Sequence, residues 1–302
     1  MPGAPFGVYL HVPFCAARCD YCSFATWTDR HHLIDAYLAA CRADADRLVA
    51  EGMPEATSVF VGGGTPSLVP AEALVSVLDR IPRAPGAEVT VECNPDDVSE
   101  ALLATYRDGG VTRLSFGVQS TSAHVLAALG RAHDRDNVVR AVELARATGY
   151  ETFNLDVIYG GAGESLADWQ ATLDDVVALD PLHVSAYALT VEPGTPLAAD
   201  PDRHPDDDDQ ADKYLAAVEI LGAAGYEHYE ISNWAKPGRR CRHNLVYWRA
   251  EPYLGLGAGA HSFFLGRRFA NVDAPNRYVE AIAASYKERQ ATGKSGMYQV
   301  AG

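Results

Sequence analysis

Short runs of valine, isoleucine, leucine, phenylalanine and tyrosine recur along the first two thirds of the chain. Six such runs occupy residues 7–14, 58–64, 88–94, 113–119, 152–160 and 183–190. Their length and their β-branched and aromatic content predict buried strands. The segments between them place apolar residues three and four positions apart, and several end at glycine, as helices do. This alternation predicts an α/β fold with a parallel sheet and right-handed crossovers.

Both an open doubly wound sheet and a (β/α) barrel fit this alternation, and the polar residues help to choose between them. Five of the six units carry a polar or glycine cluster at or just after the end of the strand, at residues 15–22, 62–65, 92 and 94, 119, and 156. Barrels place their active sites on this rim. We therefore predict a partial (β/α)6 barrel of the TIM type over residues 1–200, open where a seventh and an eighth strand would close it.

The strand–helix alternation stops near residue 205. We predict that residues 201–284, which are rich in aromatic residues and glycine, form a smaller C-terminal α+β region. Residues 285–302 are polar and lack an apolar face, so we expect a disordered tail there.

The charge of the chain narrows the classes of partner. A formal net charge of −15 argues against binding to nucleic acid or directly to an anionic membrane, because both require a basic surface. No apolar run approaches the ~20 residues of a membrane span, and the first strand follows too early for a signal peptide. We expect a cytoplasmic protein without a disulfide framework.

Three cysteines lie close together in the segment CAARCDYC, at Cys15, Cys19 and Cys22. A structural zinc site normally has four protein ligands, so zinc would need His11 or a distant cysteine as its fourth. The place of a further nearby cysteine is taken by Phe24. An iron–sulfur cube held by three thiolates is the alternative, and it would leave one iron open to a substrate or cofactor.

The C-x3-C-x2-C spacing, the aromatic Tyr21 before the third cysteine and the position after the first strand resemble the signature of the radical SAM superfamily. The resemblance implies a [4Fe-4S] cluster whose open iron binds S-adenosylmethionine. It also implies, residue by residue, that the S-adenosylmethionine site contains Tyr9, Gly62, Gly63, Gly64, Thr65, Glu92, Gln119, Arg131 and Asp156. From the residues alone, helix caps and surface ion pairs remain alternatives, above all for Arg131.

The stretches VYLHVPFC, GGGTPS, RLSFGVQS and NLDVIYG narrow the resemblance to the oxygen-independent coproporphyrinogen III oxidase group, over residues 7–282. This group contains a dehydrogenase of porphyrin biosynthesis, which decarboxylates propionates, and haem chaperones of the HemW type. Phe24 stands where the dehydrogenase has a fourth cysteine, and almost no chain precedes the first strand. The segment HNLVYW, residues 243–248, matches the H-N-x-x-Y-W motif of the chaperones. The resemblance therefore favours a haem chaperone.

The motif implies a haem site formed by His243, Tyr247 and Trp248. An imidazole can bind haem iron axially, and aromatic rings offer flat apolar faces to the macrocycle. A lone histidine is more often hydrogen-bonded inside an aromatic cluster, and only the motif match reverses that judgement. His261 and Cys241 are further candidates for the iron ligand.

The resulting hypothesis is a protein that binds haem and a [4Fe-4S] cluster with S-adenosylmethionine and passes haem to an acceptor protein, for example in the respiratory chain. One alternative is the dehydrogenase, which would cleave S-adenosylmethionine to a radical; another is a zinc-stabilised binding module. The sequence leaves open whether S-adenosylmethionine is cleaved, which protein donates electrons and whether the chain forms oligomers. Members of the group usually continue into a helical C-terminal domain, whereas the match here stops near Ala284.

Overall fold

The structure is a computed structural model that describes residues 4–292. Its centre is a parallel sheet of β1 (Gly7–Val12), β2 (Ala56–Gly63), β3 (Arg83–Cys93), β4 (Arg113–Gln119), β5 (Phe153–Tyr159) and β6 (His183–Ala188). Each strand pairs with the next one along the chain. A doubly wound sheet reverses its strand order at a switch point, so this sequential order is that of a barrel. The predicted partial barrel of six strand–helix units is confirmed, and its sheet is open.

Helices connect these strands and cover the sheet. They are α1 (Ile34–Ala50), α2 (Ala71–Leu78), α3 (Glu100–Asp108), α4 (Ala123–Ala128), α5 (Arg135–Ala147) and α6 (Leu166–Ala178). Ser99 caps α3 by accepting a hydrogen bond from the backbone of Leu102, and capping boxes start α5 and α6. Each helix buries one apolar face against the strands; on α1 this face includes Leu38, Cys41, Ala45 and Leu48.

The C-terminal region extends the same sheet at both of its edges. Its elements are α7 (Asp207–Ala223), β7 (Glu227–Glu230), β8 (Asn233–Ala235), α8 (Arg242–Trp248), β9 (Tyr253–Leu256), β10 (His261–Phe264) and β11 (Arg267–Ala270). Strand β9 runs parallel to β1 and is followed by the antiparallel β10 and β11, while β8 and β7 continue antiparallel from β6. The edges that a seventh and an eighth barrel strand would close thus find other backbone partners. The boundary predicted at residue 200 separates two stretches of sequence that share one sheet.

The last described element corrects the boundary that we predicted at residue 284. Helix α9 (Pro275–Thr292) continues past that residue, so the first part of the predicted disordered tail is helical. The helix is anchored by Tyr278, whose hydroxyl donates to the Asp44 carboxylate at 2.7 Å. Alanine, lysine, glutamate, arginine and glutamine beyond residue 284 are good helix formers and propagate a helix once it is anchored. Residues 293–302 of the predicted tail lie outside the described residues.

Among the described residues, no helix combines the length and the apolar character that crossing a bilayer requires.

Candidate functional site

The three clustered cysteines lie on the loop between β1 and α1, which hydrogen bonds hold at both ends. The backbone N–H of Cys15 donates to the Trp27 carbonyl at 3.2 Å, and that of Trp27 donates to the Pro13 carbonyl at 2.8 Å. Further along, the N–H of Cys22 donates to the Cys19 carbonyl at 3.2 Å. All three thiols are free and partly exposed. The loop therefore presents its thiols at the carboxyl-end rim of the barrel.

Arg131 contacts this loop from the segment after α4. Its guanidinium donates to Cys19 Sγ at 3.4 Å, to the side-chain oxygen of Asn94 at 2.5 Å and to the Gly117 carbonyl at 3.1 Å. The surface ion pair kept as an alternative for Arg131 does not describe these surroundings.

Burial sets the protonation of the neighbouring thiols. It raises the pKa of the Cys15 thiol, and the hydroxyl groups of Thr65 and Thr26 offset part of that rise. Burial also raises the pKa of the Cys22 thiol. These two side chains therefore keep their protons in the free protein and would release them on binding a metal.

The glycines at the end of β2 fit between the cysteine loop and the barrel interior. A Cβ on Gly64 would lie 2.6 Å from the Phe14 carbonyl oxygen and 2.8 Å from that of Val12. Gly63 has φ +110°, a left-handed conformation, and a Cβ there would collide with the ring of His11. The N–H of Gly64 donates to the Val12 carbonyl at 2.8 Å, and Thr65 bonds the loop in the same way. Only glycine allows the two segments to approach this closely.

Two half-buried carboxylates, Glu92 on β3 and Asp156 on β5, occupy the rim beside these glycines. Burial, together with repulsion from Asp156, raises the pKa of Glu92 to about 8, although the Gly63 N–H donates to its Oε2 at 3.1 Å. Burial likewise raises the pKa of Asp156. Gln119 ends β4 nearby in a left-handed conformation with φ 63°, where the pairing with β5 shifts. Strained backbone and raised carboxylate pKa values are typical of functional sites.

A chain of hydrogen bonds crosses the barrel interior from Asp156 towards α8. The Asn154 amide donates to Asp156 Oδ1 at 2.8 Å, and its oxygen accepts from His183 Nδ1 at 2.6 Å. The other ring nitrogen of His183 lies 2.7 Å from the Tyr229 hydroxyl, which donates to it. Burial holds the pKa of His183 well below its usual value, so the ring is neutral and accepts this bond. Asn244 Nδ2 on α8 lies 3.4 Å from the same hydroxyl.

The sequence analysis did not identify most residues of this hydrogen-bond series, although the pattern of polar residues in the strands indicates them. Alternate positions of a strand face the same side of a sheet. Polar residues two positions apart recur in otherwise apolar strands, at residues 113 and 115, 154 and 156, and 183 and 185. Such pairs indicate polar side chains that point into the barrel. Arg113 is the most buried charge among them, and its Nε and Nη2 have no hydrogen-bond partner among the described residues.

The three residues predicted for the haem site share α8, but they face different surroundings. His243 is buried; its Nδ1 lies 3.1 Å from Ser58 Oγ and its Nε2 lies 3.0 Å from the Tyr247 hydroxyl. Burial lowers the pKa of His243 to about 3, so the ring is neutral. In contrast, Tyr247 is 42% exposed and Trp248 is 55% exposed. The helix presents its two aromatic rings outward, while both ring nitrogens of His243 are engaged inside.

A cavity of about 570 Å³ separates the cysteine loop from the C-terminal strands. We call it the edge cavity; its wall includes Tyr9, His11, Phe24, Tyr247, His261 and Arg268. Tyr9 on β1 belongs to both regions, because it was also predicted to lie beside S-adenosylmethionine. Its hydroxyl donates to His11 Nδ1 at 3.0 Å, and its ring stacks on that of Phe60 at 6.4 Å. The other residues predicted for S-adenosylmethionine lie outside this wall.

The arrangement of the candidate ligands bears on the choice between a zinc site and an iron–sulfur cube. Among the side chains that the structure describes, no three from histidine, cysteine, aspartate or glutamate converge on a point where they could bind one metal ion. The zinc alternative, which needs four such ligands, therefore finds no support in these positions. A cubane cluster makes a different demand, because each thiolate binds its own iron. Three free thiols on one loop, with the cation of Arg131 beside them, fit that demand.

A family profile, curated relatives and a solved structure all match this chain. The profile of the Radical SAM superfamily matches residues 9–176. The chain is 44% identical to the heme chaperone HemW of Mycobacterium tuberculosis, over 94% of this chain and 76% of that protein. It is 40% identical to the heme chaperone HemW of Escherichia coli, over 85% of this chain and 70% of that protein. Among solved structures, coproporphyrinogen III oxidase (HemN) of E. coli superposes with a TM-score of 0.79 at 22% identity, covering 98% of this chain and 71% of that one, which shows the shared fold.

Proposed function

Because this chain belongs to the radical SAM superfamily and, within it, to the HemW family, we propose that it is a haem chaperone, which binds haem and passes it to an acceptor protein. The observation that carries this proposal is the HNLVYW segment on α8, which exposes the rings of Tyr247 and Trp248 and contributes Tyr247 to the wall of the edge cavity. Exposed aromatic rings next to a cavity can hold a flat macrocycle and still let it leave.

In this proposal Cys15, Cys19 and Cys22 hold a [4Fe-4S] cluster. The support is a loop with three free thiols, a set of three ligands that would leave one iron of a cube open. The guanidinium of Arg131, within 3.4 Å of Cys19 Sγ, would stabilise the negative charge of the thiolates. When bound, such a cluster supplies an electron and a binding position for S-adenosylmethionine.

The S-adenosylmethionine site is proposed on the rim beside the thiols. It would contain Tyr9, the turn Gly62, Gly63, Gly64 and Thr65, then Glu92, Gln119, Arg131 and Asp156. Glu92 and Asp156 support this assignment, because burial, and for Glu92 also repulsion from Asp156, raises the pKa values of both carboxyl groups in the free protein. The positive sulfonium group of S-adenosylmethionine would lower those pKa values, and ribose hydroxyls can donate to carboxylates.

Phe24 favours a chaperone over the dehydrogenase. The dehydrogenase signature has a cysteine at this position, whereas Phe24 is 63% exposed and forms part of the wall of the edge cavity. An exposed phenylalanine adds apolar surface for a macrocycle and removes a thiol. The chain thus carries a binding surface where the dehydrogenase carries a fourth sulfur.

The test is an anaerobic haem titration of the protein after reconstitution with iron and sulfide, followed by difference absorbance. Saturable binding near one haem per chain, and transfer of that haem to an added apo-cytochrome, are expected. Absence of saturable binding would refute the chaperone. Anaerobic incubation with coproporphyrinogen III, S-adenosylmethionine and a reductant tests the dehydrogenase, and loss of carboxyl groups from the porphyrinogen would establish that activity instead.

A further inference from the structure

The position of His243 raises the question of which side chain reaches the haem iron. Both of its ring nitrogens are hydrogen-bonded, to Ser58 and to Tyr247, and the ring is 1% exposed. It also packs on Phe60, with 5.5 Å between ring centroids. An axial ligand needs a free nitrogen lone pair that points into the ligand's space. His243 offers none in this structure.

His261 on β10 meets that requirement. Its side chain is exposed, forms part of the wall of the edge cavity, and makes no hydrogen bond within the described part of the chain. Strand periodicity places Phe263 on the same face of β10, and Phe263 also contributes to the cavity wall. The imidazole therefore stands at the edge of an aromatic-lined space with its nitrogens free.

A cation lies on the same face of this hairpin. Arg268 on β11 pairs across from Phe263, with its guanidinium carbon 5.6 Å from that ring. It forms no salt bridge with a carboxylate of the described chain. The neighbouring Arg267 projects to the opposite face, because successive strand residues alternate. The cavity thus holds one guanidinium ready to pair with a carboxylate of a ligand.

Aromatic rings complete the wall. Tyr247 meets Tyr253 edge to face at 4.7 Å between centroids, and Phe24 lies exposed on the cysteine-loop side. The volume of about 570 Å³ falls within the range of about 300–1,000 Å³ usual for small-molecule sites. An imidazole, a guanidinium and aromatic faces around one space are the groups that recognise an iron porphyrin with its propionates.

We propose that the edge cavity is where the haem binds, with His261 as an axial ligand of the iron and Arg268 paired with a propionate, while His243 positions Tyr247 and does not touch the iron. This inference rests on the proposed function and names the residues of its cargo site. His243 and Tyr247 are four positions apart on α8 and therefore share one face, which lets the buried imidazole fix the tyrosine through its hydroxyl.

The experiment is the same anaerobic haem titration on wild type, His261→Ala and His243→Gln, with His124→Ala as an exposed histidine outside the cavity. Absorbance and the electron paramagnetic resonance spectrum of ferric haem report the axial ligand. We expect His261→Ala to lose the histidine-ligand spectrum and at least tenfold in affinity. His243→Gln should keep that spectrum with less than a threefold loss, and His124→Ala should match wild type.

Two further comparisons make the result independent of folding. His261→Gly with added free imidazole should regain the histidine-type spectrum on haem that stays with the protein through gel filtration, which an unfolded or distorted site would not retain. Arg268→Gln should bind haem several-fold more weakly, whereas Arg267→Gln, on the opposite face of the same strand, should bind as wild type does.

The outcomes separate this inference from the proposed function. If wild type binds haem saturably while His261→Ala keeps the wild-type spectrum and His243→Gln loses it, the chaperone stands and the assignment of His261 is wrong. If wild type itself shows no saturable binding, the proposed function fails and the inference fails with it.

Discussion

The cysteine-bearing rim and the edge cavity, which lie on either side of Tyr9, differ in how their polar groups are satisfied. On the rim, Arg131 bonds a thiol, an amide and a carbonyl, and Asp156 accepts from Ser115 and Asn154. At the edge cavity, the side chains of His261 and Arg268 make no hydrogen bond or salt bridge with the described part of the chain. A rim built in advance suits a cofactor that stays, because little ordering is needed when it binds. Free groups at an open edge suit a cargo that has to leave.

The two regions are not independent in space. Tyr9 stacks on Phe60, and Phe60 packs on His243, so aromatic rings continue from the rim to α8. The hydrogen bonds from Asp156 to Asn244 reach the same helix through the barrel interior. The two regions therefore differ in which polar side chains lack hydrogen-bond partners in the described chain. A substitution on the rim can be checked by its effect on haem affinity, and one at the edge cavity by its effect on iron content.

The largest effect is expected from Cys15→Ala. Two thiolates hold a cube poorly, so iron and sulfide content after reconstitution should fall close to zero. Haem affinity should change less than threefold, because the edge cavity does not include this thiol. Cys241→Ala, which removes a buried cysteine outside the loop, should keep its iron. Equal iron content in wild type and Cys15→Ala would refute the cluster assignment, and joint loss of haem and iron would remove the distinction between the two regions.

A second effect is expected from Gly64→Ala. The added Cβ would meet backbone carbonyl oxygens of β1 and the cysteine loop, which cannot move as a side chain can. We expect the free energy of unfolding to fall by about 2 kcal/mol or more. Gly222→Ala is the matched control, since no atom lies within 4 Å of its new Cβ; being helical, it should stabilise by about 0.5 kcal/mol. Thermal unfolding measures the stability of both variants. Equal melting temperatures for wild type and Gly64→Ala would show that the loop tolerates a side chain at this position.

A third, smaller effect is expected from Glu92 as a function of pH. The folded protein keeps the Glu92 proton up to about pH 8, whereas the unfolded chain loses it near 4.5. Unfolding therefore releases a proton between these values, and the contribution of Glu92 to stability falls as pH rises from about 4.5 to about 8. Glu92→Gln removes this dependence, so its melting temperature relative to wild type should rise by several degrees across that window.

The measurement for Glu92 is thermal unfolding at several pH values without S-adenosylmethionine. Glu72→Gln, which removes an exposed carboxylate on α2, serves as the control. Parallel pH profiles for wild type and Glu92→Gln would contradict the raised pKa. S-adenosylmethionine should stabilise wild type more than the variant if Glu92 belongs to its site.

The smallest effect is expected from Tyr229→Phe, which cuts the hydrogen-bond chain between the two regions. Loss of the hydroxyl leaves His183 Nε2 without its donor and should cost about 1 kcal/mol. Tyr214→Phe removes a hydroxyl that makes no hydrogen bond among the described residues, and it should be neutral. Iron content and haem affinity should stay within twofold of wild type for both variants. A tenfold loss of haem affinity in Tyr229→Phe, but not in Tyr214→Phe, would show that these hydrogen bonds couple the two regions.

The placement of the rim residues follows from the sequence more directly than that of the edge cavity. Cys15, Cys19 and Cys22 are close because they are close along the chain, and the clusters after β2 and β3 meet because parallel strands end at one edge. Arg131 illustrates the limit of this reasoning. Its spacing allowed a surface ion pair, and only packing of the segment after α4 against the loop placed its guanidinium on Cys19.

The C-terminal region shows what local pattern cannot supply. The sequence of α8 specifies that His243 and Tyr247 share a helix face, since they are four positions apart. It does not specify which neighbour that face meets, and Ser58 on β2 decides that His243 points inward. His261 and Arg268 reach the edge cavity because β9 pairs with β1 although the two strands are far apart in sequence.

The sequence by itself thus determined the six strand–helix units, the cysteine loop and the polar residues on the rim, because strand and helix periodicity and short-range spacing depend on neighbouring residues. Only the tertiary structure decided that His243 is buried and His261 exposed, and it alone placed β9 beside β1, with β10 and β11 next to it in the sheet. The physical reason is that burial and strand pairing between distant segments depend on the packing of the whole chain, which no local pattern encodes.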